Sequence, residues 1–306
     1  MYEAIERNVR GTWLLFAAFV LVVVALGYVF GELIELGYAG GALAAVLALL
    51  GTWASYYHSD RLVLAISGAR PAPRDRYPYL YNTVEGLAIA AGVPPPRLYL
   101  IEDSAPNAFA TGRDPEHAVI VVTTGLLDKL DRLELEGVIA HEMAHIQRYD
   151  IRLATVAAVL VGMVALMSDW LLRSLRFGRR RGGRDGGGGL LVLAGLVLAL
   201  LAPVAAQLLR LAISRRREFL ADASGAMLTR YPEGLASALE KIAADPEPLE
   251  AANKATAHLY IVNPLREWGG VVNNLFNTHP PVEERVRRLR EMTFEGREST
   301  PSGRRE

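Results

Sequence analysis

The chain has no cysteine in its 306 residues. Disulfides and thiolate ligands are therefore excluded, and any metal has to be held by histidine and carboxylate. It has no excess of either charge, since 33 Lys and Arg balance 33 Asp and Glu. Bulk charge thus points neither to nucleic acid nor to an acidic substrate. Histidine is scarce, with six in the chain, and no internal repeat of solenoid length is present. Apolar sequence, by contrast, is plentiful. Hydrophobic residues make up 51% and mean hydropathy is positive, which is high for a soluble protein and points to membrane segments.

Two of the histidines stand four residues apart in His141-Glu142-Met143-Ala144-His145. Residues 138–149 hold neither Pro nor Gly, and Val138, Ile139 and Ile146 give a core-facing stripe, so the pattern predicts a helix. A spacing of four puts both imidazoles on one helical face, where they can grip one metal ion. Glu142 can reach a water on that ion. This is the H-E-x-x-H arrangement of zinc metalloproteases. Such a site takes a third protein ligand and leaves the fourth position to water. Glu218, in SRRREFLADASGA, is the candidate. Asp222, four residues on and on the same helical face, is placed to accept a hydrogen bond from the free ring nitrogen of a ligand histidine. Spacing alone leaves an equal alternative, a surface acidic pair beside Arg215, Arg216 and Arg217. Asp150, five residues after His145, either orients the site or caps the helix. His58 reads as interfacial, and His117 and His258 as surface residues.

Four apolar segments carry the hydrophobicity. Trp13 to Phe30 is eighteen residues without a charge, and Ala39 to Tyr57 is nineteen, ending in Trp53, Tyr56 and Tyr57. Each is about long enough to cross a hydrocarbon core of ~30 Å, and the terminal aromatics suit an interface. We read them as a membrane hairpin. Leu153 to Met167 and Leu190 to Leu209 are the third and fourth segments. The third reads as the weakest of the four spans, with a buried core helix or a re-entrant piece as alternatives. If His141, His145 and Glu218 bind one ion, residues 151–209 cross the membrane twice or not at all. Arg7 and Arg10 before the first segment, and Arg61, Arg70, Arg74 and Arg76 after the second, place the N-terminus and the catalytic part in the cytoplasm. The arginines between segments three and four oppose that orientation if both span; a re-entrant second hairpin removes the conflict. The Gly-rich tract at 182–189 reads as a flexible linker.

Between the hairpins, Pro78 to Ala91 reads as a helix that stops at Gly92 and Pro94. Arg97 to Glu102 and the β-branched run Ala118 to Thr123 read as strands, and Gly125 to Leu130 begins the helical run leading to the metal-binding helix. The expected fold is α+β, mainly helical, with a small β-sheet beside the H-E-x-x-H helix and four apolar membrane segments in two hairpins. The expected division is a transmembrane hairpin at 1–60, catalytic parts at 61–150 and 210–306, and a second apolar hairpin at 151–209. The segment EERVRRLREM (283–292) reads as an exposed final helix; acidic residues interrupt it and no aromatics interleave, which argues against nucleic acid.

Taken together, PNAFATG (106–112), VVTTGLL (121–127), HEMAHIQRYD (141–150), SRRREFLADASGA (214–226) and LFNTHPPVEERVRRL (275–289) resemble the HtpX family of integral-membrane zinc metalloproteases, distant relatives of the CAAX prenyl proteases. The resemblance covers nearly the whole chain in layout; the long Arg- and Gly-rich connection departs from it. It implies Glu218 as third zinc ligand, with one Zn2+ per chain. It also implies a sheet edge beside the cleft, where Asn107 holds the substrate backbone and Ala108, Phe109 and Ala110 pair with it by strand addition. It makes His279 a candidate beside the metal, with helix capping as an equal alternative. The expected partners are polypeptides, membrane proteins foremost, and the lipid bilayer. The implied activity is endopeptidase cleavage of misfolded or damaged membrane proteins at the cytoplasmic face of the cell membrane, a quality-control and stress-response role. Two other readings stand beside it: a narrow processing protease of the prenyl-protease type, and a non-catalytic zinc-binding adaptor or chaperone. Glu142 argues against the last, because a structural site needs no base.

Overall fold

The computed structural model describes residues 2–33, 38–163, 214–252, 256–264 and 280–298. Two long helices open the chain, α1 (Tyr2–Leu33) and α2 (Tyr38–Ile66). Both are long and apolar enough to cross a membrane, over Ile5–Ala25 and Tyr38–Ile66. They pack as an antiparallel pair, with Phe16 set edge-on against Tyr56 at 6.3 Å. Trp13, Leu14, Leu21, Leu43, Leu47 and Leu50 stay exposed on the outside. A contiguous apolar surface of that kind is costly in water and suits lipid.

The sheet follows. Strands β1 (Arg70–Pro71), β2 (Arg97–Ile101), β3 (Ala108–Thr111) and β4 (Val119–Thr123) lie in the order β1-β2-β4-β3. The central pair β2 and β4 is parallel, with Arg97 opposite Val119, and the outer pairings are antiparallel. Between β1 and β2 runs α3 (Pro78–Ala91), started by a proline in its first turn and ended by Gly92 in the left-handed region at φ 68°. These are the bounds that the Pro and Gly signals predict. The sheet is buried on both faces, and alternation along β4 sorts its residues. Ile120 and Val122 join a core with Leu87, Val138, Ile139, Leu235 and Leu239, while Val119 and Val121 join one with Val63, Leu64, Phe109, Ala158 and Val159.

Helices α4 (Thr124–Lys129) and α5 (Arg132–Gln147) come next, then helical residues 150–163 (α6), α7 (Arg215–Thr229), α8 (Pro232–Ala244) and α9 (Val282–Glu298). A capping box starts α5: the Asp131 carboxylate accepts the Leu133 and Glu134 N–H groups, and the Glu134 carboxylate accepts the Asp131 N–H. The described part of the third apolar segment is a buried helix. Val156, Ala157, Ala158, Val159 and Leu160 are all covered, and Ala158 and Val159 join the core on the second face of the sheet. The fourth segment, the Gly-rich tract and His279 lie outside the described residues. The final helix is not simply exposed, because Arg285, Val286 and Leu289 are buried on the core. Their spacing of one, three and four residues gives a single covered stripe.

Candidate active site

The site forms where α5 crosses α7. The crossing is close because α7 carries glycine at the contact, and α5 carries another where it meets α8. A side chain at Gly225 would put Cβ 2.9 Å from the His141 backbone nitrogen, and one at Gly137 would strike the Leu235 backbone nitrogen on α8 at 2.6 Å. His141 and His145 project from one face of α5, as their spacing predicts, and their Nε2 atoms stand 3.2 Å apart. Glu218 enters from α7, with Oε2 3.8 Å from His141 Nε2 and Oε1 3.6 Å from His145 Nε2. One ligand atom from each of the three lies within 4.8 Å of the others. Tetrahedral ligands at ~2.0–2.1 Å from a zinc ion sit roughly 3.3 Å from one another. The cluster therefore has the size and the donor set, two imidazoles and one carboxylate, to hold such an ion.

Each imidazole is held from behind. His141 Nδ1 is 2.9 Å from Asp222 Oδ1, and His145 Nδ1 is 3.0 Å from Asp150 Oδ2. With Nδ1–H donating to a carboxylate, the Nε2 lone pair is left to face the cluster. Asp222 thus stands where the α7 spacing places it. Asp150 sits beside His145 and not only at a helix end; Tyr149 before it adopts φ 61°, the left-handed turn that brings the carboxylate back. Glu142 is buried beside the cluster, and burial raises its carboxyl to about 7, the charge of His145 pulling it down and that of Glu218 pushing it up. The Ala110 backbone also donates to it. Burial likewise takes His141 down to about 4, against the pull of Asp222. For His145 burial is outweighed by Asp150 and Glu218, which lift it to about 9.

The strand beside this cluster is β3, at the edge of the sheet. Its outward groups are engaged by the chain itself. Ile261 N–H donates to Ala108 O at 2.9 Å, and the Asn107 side-chain amide donates to Val262 O at 2.9 Å. Tyr260 packs edge-on against Phe109 at 4.9 Å. His258, Leu259, Tyr260 and Ile261 wall the cleft opposite the histidines, leaving a cavity of about 40 Å³. His258 is accordingly buried, not on the surface; its Nε2 lies 3.2 Å from Ala154 O. His117 is at the surface, between Arg113 and Asp114, and His58 is exposed near Trp53 on α2.

Two residues of the site escape a reading of the sequence. Arg285, inside the charged run of α9, forks onto Asp222 at 2.7 and 2.9 Å and donates to Ile261 O at 2.8 Å. Its signal is positional: it shares the covered face of Val282, Val286 and Leu289. Asn8, on α1, donates to Asp150 Oδ1 at 2.5 Å. It stands on the buried stripe of Thr12, Leu15 and Phe19, but its partner is 142 residues away.

The chain is similar to known proteases over almost its whole length. The sequence pattern of peptidase family M48 matches residues 74–293. "Protease HtpX homolog" of Dictyoglomus thermophilum is 52% identical over 291 residues, covering 95% of this chain and 94% of the relative. The protein of the same description from Thermoanaerobacter pseudethanolicus is 47% identical over 298 residues, covering 96% and 98%. The crystal structure of S. mikatae Ste24p is 18% identical, with a TM-score of 0.47, over 94% of this chain and 67% of that one. An H-E-x-x-H helix facing a glutamate from a second helix, set below an apolar hairpin, falls inside the matched region, and the chain belongs to peptidase family M48 as a membrane metalloprotease similar to the HtpX proteases.

Proposed function

We propose that the chain is a zinc endopeptidase that cuts misfolded or damaged membrane proteins at the cytoplasmic face of the cell membrane. His141, His145 and Glu218 hold the zinc, Glu142 is the general base, and Asp222 and Asp150 orient the two imidazoles. The convergence of three ligand atoms within 4.8 Å, with the Glu142 carboxylate buried beside them, carries the reading. Zinc in such a donor set supplies Lewis acidity toward a peptide carbonyl and a water. The chain supplies the proton chemistry. Glu142 takes a proton from the attacking water onto a carboxylate oxygen and returns it to the departing peptide nitrogen. The Ala110 N–H bond, with the fixed helix behind it, holds that carboxylate in place.

Strand addition to β3 delivers the peptide. The bonds Asn107 and Ala108 now make to Ile261 and Val262 are those a substrate backbone would make, so a peptide entering there takes Ala108 O from Ile261. The membrane-protein substrate class is supported by location. Asn8 touches Asp150, and the apolar run of α1 starts at Trp13, roughly 8 Å farther along the helix axis. The cleft therefore lies close under the membrane surface.

The test uses detergent-purified protein and an unfolded membrane protein as substrate. Glu142→Gln is expected to keep one equivalent of zinc and lose about 10²-fold or more in kcat. Full turnover by that variant would overturn the assignment of the base. Zinc retention by His145→Ala equal to the parent's would overturn the ligand set.

A further inference from the structure

The first membrane helix reaches into the metal centre. Asn8 is only 3% exposed although it lies on a helix that goes on to face lipid. Its side-chain nitrogen donates to Asp150 Oδ1 at 2.5 Å and to Arg148 O at 3.0 Å. Both partners are acceptors, so the amide orientation is settled: nitrogen, not oxygen, faces them, and both of its protons are used. The other Asp150 oxygen is the one 3.0 Å from His145 Nδ1. Amide, carboxylate and imidazole form one line from α1 to the cluster.

We propose that Asn8 is a positioning residue for the metal centre, acting through Asp150 on His145; this rests on the reading of His145 as a metal ligand. A carboxylate with one oxygen tied down can present the other in one direction only. With Asn8 in place, Asp150 Oδ2 is aimed at the His145 ring, which keeps the proton on Nδ1 and turns Nε2 toward the ion. The same amide, bonded to Arg148 O, fixes the turn at Tyr149 that carries Asp150 back from the end of α5. The neutrality of the donor matters. Arg217 Nε stands farther off, at 3.8 Å from the same oxygen; an amide steers Asp150 without neutralising the charge that His145 uses. Thr12 and Leu15, buried on the same stripe, hold α1 in the position that makes this contact. The membrane helix is therefore part of the metal centre and not only an anchor.

The experiment is a double-mutant cycle on zinc affinity, measured by competition with a chromophoric chelator in detergent. The full chain carries Glu142→Gln throughout to prevent self-cleavage. Asn8→Ala and the similar-sized Asn8→Leu are each expected to weaken zinc binding by about tenfold, and Asp150→Ala by about tenfold or more. Combining Asn8→Leu with Asp150→Ala is expected to add little to Asp150→Ala alone, because the amide acts only through the carboxylate. A loose packing effect of α1 would instead multiply with Asp150→Ala, and that result overturns the proposal, as does zinc binding by both Asn8 variants within about twofold of the parent. His145→Ala, run beside them, separates the two readings. If it binds zinc as tightly as the parent, the ligand assignment fails; if it loses zinc while the Asn8 variants keep it, only the role of Asn8 fails.

Discussion

Arg285 heads the largest fully buried side chains among the described residues, and it carries a charge. Burial works against that charge, but the two bonds to Asp222 outweigh it and raise the guanidinium further above its ordinary range. The pair is mutual: Arg285 compensates Asp222, and Asp222 can then orient His141 without an unpaired charge in the core. Arg285→Met is expected to cost about 3–5 kcal/mol of stability in denaturant unfolding, because it strands a buried carboxylate. Arg285→Met with Asp222→Leu is expected to recover much of that stability but not the zinc affinity, since His141 stays unsupported. Recovery of both would mean that Asp222 does not orient the ligand. The proposed histidine ligands were legible in the sequence because four-residue spacing is a local property of a helix. Arg285, Asn8 and His258 were not, because their partners lie 63, 142 and 104 residues away, and a covered helical stripe marks burial without naming a partner.

At the scale of elements, the site depends on how closely α5 and α7 approach. Gly225 is the contact point, and both atoms nearest its would-be Cβ are backbone atoms of His141. They cannot rotate away as a side chain can. Gly225→Ala is expected to push the helices apart by some tenths of an ångström and weaken zinc binding at least about tenfold, with helix content by circular dichroism unchanged. Unchanged zinc affinity would show that the crossing has slack. The far end of α5 is held by Glu134, which caps the helix and also accepts from Ser237 Oγ at 2.6 Å and Lys241 Nζ at 2.7 Å on α8. Burial alone would raise this carboxyl; Lys241, Ser237 and the Asp131 N–H more than offset it and hold it below its ordinary value. A depressed carboxyl stabilises the fold fully above the unfolded value of ~4.3 and loses that contribution as pH falls through its lower folded value. Glu134→Gln is therefore expected to lower stability at neutral pH by about 1–3 kcal/mol, and the difference from the parent is expected to shrink below about pH 4 in unfolding curves. A difference constant with pH would rule out the ionic contribution. Element boundaries were legible where turn chemistry or β-branching marked them, as at Gly92 and along Val119–Thr123. Strand β1 holds only Arg70 and Pro71 and has no periodicity to read, and β3 is Ala-rich; only the family resemblance pointed to it.

For the whole molecule, the main question is which side of the membrane carries the chemistry. The Asn8–Asp150 contact ties the N-terminal end of α1 to the proposed metal centre, so the two share a side. The close of α2 agrees, because Ser59, Val63 and Leu64 are buried and Val63 and Leu64 join the core of the sheet. A spanning hairpin would therefore enter and leave on the catalytic face and place Tyr38 on the other. Arginines flank the two open ends, which supports the proposed placement of the catalytic face in the cytoplasm. The absence of cysteine makes the assignment directly measurable, since one introduced thiol is the only target for a maleimide. Tyr38 is 83% exposed and Asp75 is exposed. In intact cells producing the Glu142→Gln form, Tyr38→Cys is expected to react with a membrane-impermeant maleimide. Asp75→Cys is expected to react only after lysis. The reverse pattern would move the active site outside the cytoplasm, and with it the class of substrates it meets. Equal reactivity of both in intact cells would mean that α1 and α2 do not cross, and the apolar outer face of the hairpin would then need a protein partner instead of lipid.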